Sequence, residues 1–128
     1  MAQGRGSAGK AMAFGLALIF LMLLHSELAE SGAVYTVGNQ NGWTFNTAAW
    51  TKGKRFRAGD VLVFKYSPSV HNVVAVNAAG YNACTTPKGS KIYKSGNDRI
   101  TLVKGPNYFI CNFPAHCQSG MKILVNAA

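Results

Sequence analysis

An all-β fold, a sandwich or barrel of short strands, is predicted by three features of this 128-residue sequence. Runs rich in Val, Ile, Tyr and Phe recur at short intervals after residue 33. Clusters of Gly, Pro, Asn and Ser separate them. No stretch of that region sustains the 3.6-residue apolar period of an amphipathic helix.

The chain before residue 33 reads differently. Arg5 and Lys10 precede an apolar run over 11–24, and small residues follow at Ala29, Ser31, Gly32 and Ala33. That order marks a secretory signal peptide. Fourteen residues at about 1.5 Å rise reach about 21 Å, short of a hydrocarbon core of about 30 Å. Residues 1–32 are therefore expected to be a signal, cleaved near 31–33, and residues 33–128 a single domain. The sequence after residue 120 shows no spacer and apolar tail, so no lipid anchor is expected, and no Asn-x-Ser/Thr sequon predicts N-glycosylation.

Val34-Tyr35-Thr36-Val37 opens the strand series and stops at the turn formers Gly38 to Gly42. Residues 61–66 follow the turn Ala58-Gly59-Asp60 and end at Ser67-Pro68-Ser69. A third strand is predicted over 71–76. Between Tyr81 and Ser95 the pattern loosens, and a short helical turn is expected there. Residues 99–103 alternate, Lys104-Gly105-Pro106-Asn107 turns the chain, and 108–113 follow as the second arm of an expected hairpin. The last run puts Met121, Ile123 and Val125 on one face and Lys122, Leu124 and Asn126 on the other.

Charge is distributed unevenly. Of 13 Lys and Arg and 4 Asp and Glu, two of each sign lie within residues 1–32, so the whole net charge of +9 belongs to residues 33–128. Only Asp60 and Asp98 are acidic there. Export argues against nucleic acid as a partner and suits an anionic wall polysaccharide or a membrane surface. Lys52, Lys54, Arg55 and Arg57 form a local basic group, more simply read as a solvated face. Trp43, Phe45, Trp50 and Phe56 read as core or rim packing.

Soft metal donors gather near the end. Cys111, His116 and Met121 are spaced five apart, with Pro114 and Ser119-Gly120 supplying bends, and His71 leads its own strand. Two imidazoles, a thiolate and a thioether are the donors of a blue-copper electron-transfer site, whereas tetrahedral zinc sites rarely take a thioether. In an oxidising compartment three cysteines make one pair and one single. With Cys111 as the metal donor, Cys84 and Cys117 pair. The alternative, Cys84 with Cys111, leaves Cys117 beside His116 and loses the even spacing.

The string from Tyr108 through Cys111, Pro114, His116, Cys117 and Met121 to Ile123 resembles the ligand loop of the plantacyanin group, plant basic blue proteins of the phytocyanin family. Gly42-Trp43-Thr44-Phe45-Asn46, residues 53–60 and His71-Asn72-Val73-Val74 resemble it too, so the likeness spans the region after the signal. It implies a cupredoxin fold, a Greek-key β-sandwich or flattened barrel, holding one type 1 copper. By position His71, Cys111, His116 and Met121 would be the ligands, and Cys84–Cys117 the disulfide. Asn72 would tie the two ligand segments together by hydrogen bonds. Stellacyanins carry Gln where Met121 stands, and many phytocyanins add a Pro/Ser-rich stalk; this sequence has neither.

The resemblance implies a secreted, monomeric electron carrier of the plant apoplast, exchanging electrons with a redox partner at solvent-exposed histidine edges. It also implies a second role, matrix binding or signalling in cell-wall or reproductive tissue, with copper secondary. An enzyme is not expected, because four protein ligands fill the copper and the two Asp residues form no acid/base pair.

Overall fold

Runs rich in β-branched and aromatic residues build two sheets across residues 32–128, which the computed structural model describes, with burial alternating clearly along 97–101 and 122–127. The expected signal segment lies outside the described residues, except for Gly32. The first sheet contains β1 (Val34–Thr36), β2 (Val61–Lys65) and β5 (Asn97–Thr101), with β2 central, parallel to β1 and antiparallel to β5. The second contains β3 (Val73–Val76), β4 (Lys91–Tyr93), β6 (Gly105–Ile110) and β7 (Lys122–Ala127), in the order β4-β3-β6-β7, all antiparallel. A short helix, α1 (Ala78–Ala83), and two 3-10 turns complete the set. This is the predicted all-β sandwich.

The core lies between the sheets. Leu62 and Phe64 of β2, Val73 of β3, Phe109 of β6 and Ile123 and Val125 of β7 bury their side chains there, with Trp43 edge-on against Phe64. Each such side chain contributes about 1.5–3 kcal/mol of transfer free energy. The next residue along β3, Val74, faces the other way. With Ile110 and Cys117 it forms a second apolar cluster, flanked by Tyr81 and Cys84. Asn77 starts α1 by accepting a hydrogen bond from the Gly80 N–H at 2.8 Å, and the helix ends at Cys84, which adopts φ 54°.

Two expectations change. β5 and β6 do not form a hairpin: β5 pairs with β2, while β6 lies between β3 and β7 in the other sheet. The Asn107 side chain explains the corner. Its Oδ1 accepts from the Val103 N–H at 3.1 Å, and its Nδ2 donates to the carbonyls of Val103, Gly105 and Val125. Those backbone groups are satisfied without a hairpin ladder. The third strand also begins at Val73, so His71 and Asn72 precede it. The His71 N–H instead bonds to the Ser67 carbonyl at 3.1 Å.

Candidate metal centre

The loop after β6 folds back on itself because its own backbone closes it. The Cys111 N–H donates to the Met121 carbonyl and the Met121 N–H to the His116 carbonyl, both at 3.1 Å. Between them the His116 N–H reaches the Phe113 carbonyl, and the Gly120 N–H the Cys117 carbonyl. Ala115 adopts φ 67°, the left-handed turn that swings His116 inward. Gly120, at φ 81°, sits in the left-handed region where a side chain is strained, and a Cβ there would also crowd the Asn46 backbone at 3.2 Å.

This curl gathers donors. His71 Nδ1 stands 3.1 Å from His116 Nδ1, and Cys111 Sγ lies 3.5 Å from His116 Nδ1. The donor atoms of all three residues fall within 4.8 Å of one another. Cys111 is a free thiol with no solvent exposure, and Met121 is fully buried at the far end of the same loop. Soft sulfur with two imidazoles is a donor set suited to copper. Burial, and then the neighbouring His116, hold the His71 imidazole below its ordinary pKa, which favours the neutral form that can donate to a metal.

Asn72 is buried and grips the other donor segment. Its Oδ1 accepts from the Asn112 N–H at 3.0 Å, and its Nδ2 donates to Asn112 Oδ1 at 2.6 Å. Trp43 Nε1 donates to the Asn72 carbonyl at 2.8 Å, so the core indole anchors the same segment. The disulfide joins Cys84 to Cys117, tying the end of α1 to the residue after His116.

Sequence reasoning missed two aromatic neighbours and one amide. Phe45, read as core or rim, is 40% exposed and meets both imidazoles edge-on, at 5.5 Å from His71 and 4.8 Å from His116. Phe113 stacks on His116 at 5.7 Å. Asn112 carried a usable signal: it follows Cys111 as Asn72 follows His71. Phe113 lies inside the donor loop, three residues before His116, whereas Phe45 carried no signal because it is far in sequence from either histidine. Among the basic residues, Lys54 lies over the Trp50 ring at 4.9 Å and donates to the Trp50 carbonyl.

A family profile described as Plastocyanin-like domain matches residues 43–121. The chain is 61% identical over 128 residues to "Chemocyanin" of Lilium longiflorum, covering 100% of both chains. Among solved structures, "Cucumber basic protein, a blue copper protein" is 67% identical with a TM-score of 0.75, matched over 75% of this chain and 100% of its own. "Spinach plantacyanin" is 57% identical with a TM-score of 0.67, over the same shares. Sheet order, donor loop and these likenesses agree: the chain belongs to the plastocyanin-like domain family, in its phytocyanin branch.

Proposed function

We propose that the chain is a secreted one-electron carrier holding one copper between His71, Cys111, His116 and Met121. The convergence of His71 Nδ1, Cys111 Sγ and His116 Nδ1 within 4.8 Å carries the reading. Copper, when bound, supplies one reversible electron, the thiolate and thioether favouring its lower oxidation state. The protein's residues do the rest. Cys111 keeps its sulfur from water, and its N–H fixes the loop to Met121. The Asn72–Asn112 pair sets the distance between the two donor segments. The half-buried histidine rings, flanked by Phe45 and Phe113, are the donors nearest solvent and so the edge for exchange with a redox partner.

A disulfide supports secretion, since such bonds persist in oxidising compartments. Residues 1–32 would act as the export signal and be removed. The role is carriage by a monomer, not turnover of a substrate.

A second reading is favoured by one observation. Both acidic residues of the described region are buried, Asp60 on the N–H groups of Ala33 and Arg57, and Asp98 on the hydroxyls of Tyr66 and Ser95. Among the described residues the surface therefore presents Lys and Arg with no side-chain carboxylate, which suits an acidic wall polysaccharide as partner.

Visible absorption of the copper-loaded protein tests the first reading. An intense thiolate-to-copper band and a reversible redox wave are expected, both lost in Cys111→Ser. Copper bound without that band would overturn it. A folded Cys111→Ser protein that kept full biological activity would favour matrix binding or signalling.

A further inference from the structure

A cleft of about 240 Å³ opens beside the donor loop, lined by Asn39, Asn41, Thr44, Phe45, Asn46 and Trp50 among others. We propose that it binds one uncharged sugar ring, whether a free sugar or a residue within a neutral wall glycan. The proposal stands independently of copper.

Size sets the first limit. The cleft is smaller than the roughly 300–1,000 Å³ of sites that enclose drug-sized ligands, so it takes one ring and not an extended molecule. Chemistry sets the second. No charged side chain lines it, although the surrounding surface is basic. Recognition there is by hydrogen bonds and apolar contact, which favours neither a uronate nor a phosphate.

Three asparagine amides supply the polar wall. Each offers NH2 donors beside a carbonyl acceptor, the combination that neighbouring hydroxyls of a sugar take up. Asn39 Oδ1 already accepts from Trp50 Nε1 at 3.0 Å, and among the described residues no protein partner engages its NH2 or the Asn41 and Asn46 amides. Phe45, 40% exposed, supplies an apolar face for the C–H side of the ring.

The walls are already fixed. Thr47 Oγ1 donates to the Thr44 carbonyl at 2.9 Å, and the N–H groups of Asn46 and Thr47 bond to the carbonyls of Ser119 and Gly120. Little ordering is then left to oppose binding. The second of these strands of contact runs into the donor loop, so the cleft and the metal centre share a wall.

The test uses protein purified after expression of the full chain, with nuclear magnetic resonance of side-chain amides and the indole N–H as readout. The probes are methyl galactoside and methyl xyloside for a free sugar, uncharged xylan for a residue in a chain, and polygalacturonate for charge alone. Saturable shifts of Asn41, Asn46 and Trp50 with a neutral probe are expected, with a dissociation constant on the order of 1–10 mM. Saturation by the glycosides points to a free sugar, and saturation by xylan alone to a polymer residue. Asn41→Ala, on an exposed turn, should weaken binding about fivefold. Asn46 adopts φ 60°, and Asn46→Asp, which tolerates that left-handed backbone but lacks the NH2, should weaken binding similarly. Unchanged affinity in both variants would overturn the proposal, as would shifts seen only with polygalacturonate and abolished by about 0.5 M salt.

Discussion

Asn72 and Asn112 hold each other by two hydrogen bonds, side chain to side chain at 2.6 Å and side chain to backbone at 3.0 Å. Each residue directly follows a donor, His71 or Cys111, so this pair joins two segments forty residues apart in the chain. Asn72→Leu should destabilise the fold by about 1–3 kcal/mol, because the Asn112 N–H loses its acceptor. Asn112→Ala should cost less, since water reaches that exposed residue. The double variant should lose less than the sum, with a coupling of about 0.5 kcal/mol or more in urea denaturation. Strict additivity would show that the two bonds contribute nothing jointly.

Removing the disulfide tests how the donor loop is braced. Cys84 and Cys117 are 33 positions apart, and closing a loop of that length is worth roughly 3–4 kcal/mol in the chain-entropy model. Cys84→Ala with Cys117→Ala should lower stability by about that amount under non-reducing conditions. Wild-type protein treated with reductant should fall to the same value.

Ala115 pays for the turn before His116. A non-glycine residue in the left-handed region costs about 1–2 kcal/mol, partly offset by the extra chain entropy glycine brings to the unfolded state. Ala115→Gly should therefore gain about 0.5–1 kcal/mol. A lower thermal midpoint for this variant would mean the Ala115 methyl makes packing contacts that outweigh the strain.

Alkaline pH should expose two tyrosines. Burial raises the pKa of Tyr66, and its hydrogen bond to Asp98 raises it further; burial alone raises that of Tyr81. Above pH about 10 the unfolded chain releases these protons while the folded chain keeps them, so stability falls as pH rises. Absorbance titration should show two of the five tyrosines ionising later than free tyrosine. Tyr66→Phe with Tyr81→Phe should flatten the alkaline loss of stability, and an unchanged slope would assign it elsewhere.

Strand positions were legible because runs rich in Val, Ile, Tyr and Phe are bounded by turn formers, and in the last run burial also alternates. Ile123 and Val125 face the core, and Asn126 faces solvent, as the spacing predicts. The donor set was legible because few soft side chains remain after residue 33, which makes them countable. Pairing between strands was not. Residues 99–103 and 108–113 carry the signature of a hairpin, and only the Asn107 side chain, which satisfies the Val103 backbone, shows why the chain changes sheets there. Contacts such as Phe45 against both imidazoles depend on how loops close, and side-chain periodicity holds no information about that closure.

Burial of Asp60 and Asp98 has a consequence for how the protein would bind a charged matrix. A basic protein that displays carboxylates becomes more cationic as they protonate, so its hold on a polyanion varies with acidity. Here the described surface carries Lys and Arg side chains and no side-chain carboxylate. Between mildly acidic and mildly alkaline conditions, no side-chain carboxylate on the described surface is there to change that charge. Retention on a cation exchanger of fixed charge should thus be nearly level across that span. The protein's attachment to a charged matrix would then be set by ionic strength and by the matrix's own ionisation, leaving the carrier's own surface constant.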